Sequence, residues 1–534
     1  MPGFLANKRF CQWLNYFSHA GFFKGWEKGV SLKLQELLNG INFIAVVGDL
    51  DREIDGIAHD SRQIEQNFAF VCYQGVVVDG HEYVSDAIEK GATAIISEKK
   101  LSLRQVQSKL LSEAKESSVS SDITWVQVKD GRLALALMAA NWYNLPAEKL
   151  RIIGITGTNG KTSTAHFIQS IFTAAGFKMG IMGSIGHKFG SKFVAATTTT
   201  PESLQLQKLF MEMVDSGMDS VVMEITSHSL EQKRVAGIQF DAAVFTNLTQ
   251  DHLDFHKDMQ SYLNAKVKLF KQLKKGVAVL NADDDASQHI IQHLALERSE
   301  GQETSILTYG VEKPANLLVR NVNSTLSHLK FTIITPKGEI DVNLKQLGEY
   351  NLYNALAAAG VGLSFGIELD VIKTGLESAV VPGRFELVDC GQDFAVVVDY
   401  AHTPDALERF LTAARKITKG QLICIFGCGG DRDKGKRPIM GRIASEIADH
   451  IIITSDNPRT EKPVQIINEI EAGIKPGKNY DVIVDRSSAI ARGIETAHSS
   501  DLVAIAGKGH ENYQDLGEKR IHFDDREVAA EYIA

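Results

Sequence analysis

Residues 151–175 read RIIGITGTNGKTSTAHFIQSIFTAA, and this stretch decides the fold. Residues 151–156 form an apolar, β-branched run, and residues 162–175 carry apolar side chains at helical spacing, so the pattern predicts strand, glycine turn and helix. Glycines in such a turn let backbone N–H groups wrap a phosphate, and a lysine at its end neutralises the charge. Gly157, Thr158, Asn159, Gly160, Lys161, Thr162 and Ser163 are therefore candidate phosphate contacts, with the Thr162 hydroxyl placed to ligate Mg²⁺. Against the general GxxxxGK[ST] spacing, Ile155 stands where the first glycine belongs, which implies a shorter loop from Gly157 to Lys161. A bare glycine turn with an exposed lysine is the plainer alternative.

Moving outward, buried strands are expected at residues 220–223, 242–246 and 277–280, each ending near polar residues. A parallel sheet presents its carboxyl ends to a ligand in this way. The fold class is α/β, with a doubly wound central domain at residues 149–380. Around residues 380–382 a hinge is expected. Beyond it FAVVVDY, QLICIFG, HIIITSD and DLVAIAG alternate with helical stretches, which predicts a separate Rossmann-like domain at 381–534. Before it, FAFVCY, ATAIIS and ITWVQV mark a small α/β domain at 30–148. The aromatic, basic segment 1–29 reads as a docked or frayed extension rather than an amphipathic surface helix, and the polar segment 101–122 as an exposed helix and loop.

The chain has 534 residues, 44% hydrophobic and 23% charged, enough for several cores. Its net charge of -9 argues against a general nucleic-acid binder. No apolar stretch approaches the ~20 residues of a membrane span. The five cysteines, Cys11, Cys72, Cys390, Cys424 and Cys428, lack paired metal-ligand spacing and suit a reducing cytoplasm. Cys424, inside LICIF, reads as a small buried thiol rather than half of a zinc site.

Other candidates for chemistry lie at strand ends. Glu224, closing VVME, would face a metal carried by a bound nucleotide. His252 and Lys266 are, by spacing alone, a polar loop residue and a solvated helix charge. They become metal ligands only if Lys266 is carbamylated, which turns an ammonium into an anionic head. In the last domain three clusters follow strands: Gly427 to Arg437, Asp456 to Arg459, and Gly507 to Glu511. Each alone could be an ordinary turn; three at successive strand ends point to one crevice for phosphate, carboxylate or zwitterionic groups.

Taken in order, TGTNGKTST (156–164), TTTTPE (197–202), MEITSH (223–228), TNLTQDHLDFH (246–256), LGEYNLYNALAA (347–358), VPGRFE (381–386), DYAHTPDAL (399–407) and these clusters resemble the Mur ligases over residues 30–534. The resemblance implies a UDP-binding domain, a central ATPase and a C-terminal amino-acid-binding domain in a cytoplasmic monomer that uses ATP and Mg²⁺. DNPR at 456–459 resembles the signature of members that add meso-diaminopimelate, with ATP, to UDP-N-acetylmuramoyl-L-alanyl-D-glutamate. The lysine-adding sister ligases and, more remotely, folylpolyglutamate-type ligases are the alternatives. A nucleotide-dependent switch is the alternative from another class.

Carried over by position, Lys161, Glu224, His252 and Lys266 resemble the catalytic set. Thr162, Glu224, His252 and carbamylated Lys266 resemble metal ligands. Asn351, Arg384 and Asp399 resemble adenine, phosphate and ribose contacts. Ser61 resembles a uridine contact, and Thr198, Thr199, Thr200, Thr226, Gln232 and Arg234 resemble the grip on the muramoyl-peptide. Arg432, Asp456, Asn457, Pro458, Arg459, Gly507 and Glu511 resemble a diaminopimelate pocket, in which Arg459 meets the distal carboxylate and Asp456 with Glu511 the distal ammonium. Two departures are Thr226, where the family usually has serine, and the apolar loop from Gly75 to Asp79.

Overall fold

The computed structural model describes residues 31–100 and 123–534, except 77, 274, 299–303 and 326–327. Segments 1–29 and 101–122, and Cys11, lie outside the described residues. The chain divides into two compact units that meet at Ala134 and Leu135.

In the first unit and the strand that follows residue 122, five strands pair in the order Phe43–Val47, Thr124–Val128, Ala92–Ser97, Phe68–Cys72, Gly56–Ala58. Phe43–Val47 pairs antiparallel and the others are parallel. The three β-rich runs read from sequence are the inner strands. Their apolar side chains, with Ile64, Val84 and Ala87, close a small core around Phe70 and Ile95.

Two larger sheets build the second unit. The first has eight strands, in the order Lys192–Val194, His187–Phe189, Met179–Met182, Ser220–Glu224, Arg151–Thr156, Ala242–Phe245, Val277–Asn281, Ser305–Tyr309. All its pairings are parallel except the two that involve the short strand His187–Phe189. Strand side chains alternate between faces. Ile153, Ile155, Val222, Val244 and Val279 therefore meet the helices Lys161–Ala174, Tyr350–Ser364 and Leu369–Ser378 on one side. Ile152, Val221, Met223, Phe245 and Leu280 meet Ser203–Asp215, Met259–Phe270 and Ala286–Arg298 on the other. Because both faces are covered, these strands read as continuous apolar runs. Phe167 and Phe172 of the first helix are fully buried, and each such side chain contributes about 1.5–3 kcal/mol.

A three-stranded antiparallel sheet, Leu318–Ser324, Leu329–Thr335 and Gly338–Leu344, was not anticipated from the sequence and packs Phe331, Ile333 and Val342 onto the same core. The second large sheet runs Glu386–Leu387, Ala395–Asp399, Leu502–Ala506, Leu422–Phe426, His450–Ile453, Asn479–Val482. Its four central strands are the four runs expected. Cys424 is fully buried among them, and burial pushes the Cys428 thiol up to about 12, as expected of inert core thiols. Strand Leu502–Ala506 is the last of this sheet in the chain, yet it inserts, parallel to both, between Ala395–Asp399 and Leu422–Phe426. The loops at the carboxyl ends of these strands carry the three clusters.

Candidate active site

The turn after Arg151–Thr156 is held by its neighbours before any ligand arrives. Gly157 and Gly160 take φ of 147° and 86°. A Cβ on them would overlap Thr246 Oγ1 and Asn354 Oδ1, so glycine is required at both. The Asn159 N–H donates to Asn247 Oδ1 (2.9 Å), and the Thr158 N–H to the Asn247 carbonyl (2.9 Å). Lys161 Nζ folds back onto the carbonyls of Gly157 and Thr158, at 2.8 Å each. Loss of solvation pulls its ammonium below the usual lysine value, with Glu224 opposing the shift.

Glu224, 3% exposed at the end of its strand, accepts from Thr162 Oγ1 at 3.1 Å to each carboxylate oxygen and from the Ser184 N–H at 3.0 Å. Arg384 Nη2, from the other sheet's edge, donates to Thr162 Oγ1 (3.2 Å). Asn159 Nδ2 donates to Asp405 Oδ2 (2.6 Å), and Asp405 also receives Arg409 Nε at 3.0 and 3.1 Å. These contacts close one side of a cavity of about 290 Å³ lined by Asn159, Gly160, Ser163, Arg384, Asp399 and Arg409, among others. Burial pushes the Asp399 carboxyl up to about 6, against the pull of Arg384 and of the Phe385 N–H. Asn351 is fully buried and does not line this cavity. Its amide donates to the Leu347 carbonyl, and its Oδ1 accepts from Asn354, which does line it.

Lys266 is not a solvated helix charge. Only 1% of it is exposed, and its Nζ lies 4.1 Å from the centre of the Tyr262 ring. Among the described residues no carboxylate lies within ion-pair distance of it. Burial, reinforced by the charge of Lys161, drives its pKa well below the ordinary lysine value. His252 sits at the left-handed φ of 54°, its ring 4.8 Å from that of His228 and its Nε2 3.3 Å from Asp251.

Thr200 and Thr226 spend their hydroxyls inside the fold: Thr200 Oγ1 donates to the Glu224 carbonyl (2.9 Å), and Thr226 Oγ1 caps the helix Ser227–Glu231 through the Ser229 N–H. Threonine keeps the cap that serine would supply. Thr198 Oγ1 donates to the Thr200 carbonyl, and Arg234 to that carbonyl and to Gln232, with Glu202 at 2.8 Å. Thr199 is half-buried beside them. Ser61 belongs to the first unit, where it is buried at the start of the turn Ser61–Gln63.

In the last sheet the second and third clusters converge. Asn457 Nδ2 donates to Glu511 Oε2 (2.8 Å), and Gly507, with φ of 116°, lets its backbone approach Asp456, whose Oδ2 would be 2.6 Å from a Cβ there. Lys508, inside the third cluster, carries no sequence signal that sets it apart from a surface lysine. Fully buried, it places Nζ 3.3 Å from Asn457 Oδ1 and 3.4 Å from Glu511 Oε2. Burial raises the Glu511 carboxyl, with Lys508 opposing. Arg459 Nη1 donates to the Gly430 carbonyl (2.7 Å), and Arg432 flanks Gly429 with it. Pro458 lies buried between Asn457 and Arg459.

Three family models match the chain: the Mur ligase catalytic domain at residues 53–143, the Mur ligase middle domain at 155–362 and the glutamate ligase domain at 383–509. A UDP-N-acetylmuramoyl-L-alanyl-D-glutamate--2,6-diaminopimelate ligase of Clostridium tetani is 44% identical, covering 94% of this chain and 99% of that protein. The chain belongs to the Mur ligase family. A Bacillus cereus protein of the same name is 42% identical over 94% of the chain. A solved diaminopimelate ligase structure superposes on this Mur ligase with a TM-score of 0.67 at 31% identity, covering 94% of this chain and 99% of that one. Mycobacterium tuberculosis folylpolyglutamate synthase complexed with ADP shares the fold, with a TM-score of 0.59 at 17% identity and 76% of the chain covered. The three-domain α/β architecture expected of a Mur ligase is thus present. Membership in a ligase family makes the chain an enzyme and sets the switch reading aside. Among the described residues no helix is long and apolar enough to cross a membrane.

Proposed function

We propose that this Mur ligase joins meso-diaminopimelate to UDP-N-acetylmuramoyl-L-alanyl-D-glutamate at the expense of ATP. The observation that carries this reading is end-to-end similarity, at 42–44% identity, to relatives named for that reaction. The convergence of Asp456, Asn457, Arg459, Gly507 and Glu511 beyond a phosphate-binding loop supports it. In this reading residues 30–148 hold the UDP end, with Ser61 at the uridine. Residues 149–380 carry ATP, and 381–534 bind the amino acid.

The loop from Gly157 to Ser163 cradles the phosphates, Lys161 turning from its own carbonyls to the γ-phosphate, with Arg384 and Asp399 facing the rest of the nucleotide. Thr198, Thr199, Thr200, Thr226, Gln232 and Arg234 orient the D-glutamyl end. Its γ-carboxylate oxygen bonds to the γ-phosphorus as the bond to ADP breaks, giving an acyl phosphate. The amine of diaminopimelate then adds to the carbonyl carbon, loses its proton, and phosphate departs with its bonding electrons. Fixed positive charge at the transferring group lowers the barrier to the first step.

Among the described residues no three His, Cys, Asp or Glu side chains converge to hold a metal unaided. Thr162 and Glu224 nonetheless supply oxygens at 3.1 Å from each other, a set suited to Mg²⁺. His252 and Lys266 would hold a second ion only with Lys266 as its carbamate (N6-carboxylysine). Carbamylation needs the unprotonated amine, and burial shifts Lys266 toward that form. Mg²⁺, when bound, would supply charge neutralisation to the phosphoryl group.

The test is phosphate release with ATP and the UDP-linked dipeptide, comparing meso-diaminopimelate with lysine. Stimulation by diaminopimelate, abolished in Arg459→Ala, is expected; stimulation by lysine alone would move the chain to the lysine-adding ligases.

A further inference from the structure

Arg437, in the first turn of the helix Lys436–Ile447, has a side chain with no exposed surface. Its guanidinium is spent on two carboxylates and a carbonyl of the protein. Nη1 and Nη2 donate to the two oxygens of Glu461 at 3.0 and 2.9 Å, Nη1 also to Glu469 (2.8 Å), and Nη2 to the Gly429 carbonyl (3.3 Å). Glu461 in turn accepts the Asp431 N–H at 2.7 Å. The Asp431 carboxylate accepts the Thr460 hydroxyl (2.7 Å) and N–H (3.2 Å). One carboxylate therefore fastens together the helix, the loop 427–435 and the loop 456–461.

Both loops hold a non-glycine residue in the left-handed region, Asp431 at φ 53° and Arg459 at φ 51°. Such conformations are unfavourable for side chains with a Cβ and persist where the surroundings over-determine them. Arg432 and Arg459 flank the same glycine: Arg459 Nη1 and Arg432 Cγ lie 2.9 and 3.9 Å from where a Gly429 Cβ would stand, and Arg432 Nη1 donates to the carbonyl of left-handed Asp431 at 2.9 Å.

We infer that Glu461 is a positioning residue that sets the spacing of the Arg432 and Arg459 guanidinium groups for the distal carboxylate of the incoming diamino acid. This rests on the proposed reaction. Two forked cations hold a carboxylate bidentately only when their separation is fixed. The Glu461 carboxylate is spent on Arg437, Lys434 and the Asp431 N–H, so it acts through the loops.

The experiment compares steady-state constants of the full-length enzyme, wild type against Glu461→Gln and Thr460→Val, for all three substrates, with melting temperatures alongside. The glutamine substitution removes the charge that holds Arg437; the valine removes only the hydroxyl bond to Asp431. The expected result is a KM for diaminopimelate raised about tenfold in Glu461→Gln and about threefold in Thr460→Val, with kcat and the KM values for ATP and the UDP-linked dipeptide unchanged. If Glu461→Gln does not fold, Thr460→Val decides alone. An unchanged KM for diaminopimelate, or a loss spread equally over all three substrates, overturns the inference. Absence of diaminopimelate-stimulated turnover in the wild type would instead overturn the proposed reaction.

Discussion

Lys266 shows how much one side chain's meaning depends on what surrounds it. In YLNAKVKLF two lysines stand two apart, and nothing local distinguishes them. In the fold Lys268 is 40% exposed and pairs with Glu231, whereas Lys266 is buried against Tyr262. If it serves as an anionic ligand, Lys266→Ala should lose activity by about 100-fold or more, the scale of losing an electrostatic stabiliser. A short carboxylate such as acetate should restore part of it, while methylamine should not. Asn351 adds a contact its motif did not announce: its side chain holds Asn354, and the i, i+3 spacing in NLYN was the signal available. Asp399 offers a test by pH. Its carboxyl is raised to about 6 in the fold, above the ordinary value near 4, so this group's contribution to stability is full below about 4 and is lost as pH rises through about 6. Asp399→Asn should therefore flatten that part of the stability profile and leave the protein no less stable at pH 8, by roughly 3 kcal/mol in its favour at most. Thermal unfolding measured from pH 4 to 8 would show it, and a steeper profile in the variant would refute it.

At the scale of the element, the parallel strands were legible because both faces are covered: each is an apolar run that ends at a polar residue, and the expected limits differ from those found by a residue at most, except in HIIITSD, where the strand stops at Ile453. The antiparallel strands 318–344 were not, because Leu318–Ser324 is polar and largely exposed, and it bulges between Arg320 and Asn323, which breaks its alternation. Loops that touch the site were missed for a related reason: close approach leaves little mark in sequence. Gly183 precedes Ser184 in MGSIG, and a Cβ on it would overlap Glu224 Oε1. Gly183→Ala should displace that carboxylate and raise the Mg²⁺ concentration needed for half-maximal rate several-fold, with the diaminopimelate KM unmoved. A magnesium titration reads this directly.

Across the whole molecule, the second unit joins its two large sheets through a few polar contacts that no local pattern announces. Asn159 and Asp405 are separated by 246 positions, and their hydrogen bond ties the phosphate loop to the helix Pro404–Ile417. DYAHTPDAL marked the segment; only the topology showed which residue faces it. Asp405→Ala should raise the KM for ATP several-fold, since it frees both Asn159 and Arg409 at the cavity, while melting changes by no more than a few degrees. A KM for ATP equal to that of the wild type would show the link to be incidental. The buried amine of Lys266 has a wider consequence still. If Lys266 carries a carbamate, which forms by reaction with dissolved carbon dioxide and reverts when that gas is withdrawn, the working fraction of the enzyme would follow the bicarbonate supply of its surroundings, and a degassed preparation would need aeration with carbon dioxide before it showed its full rate.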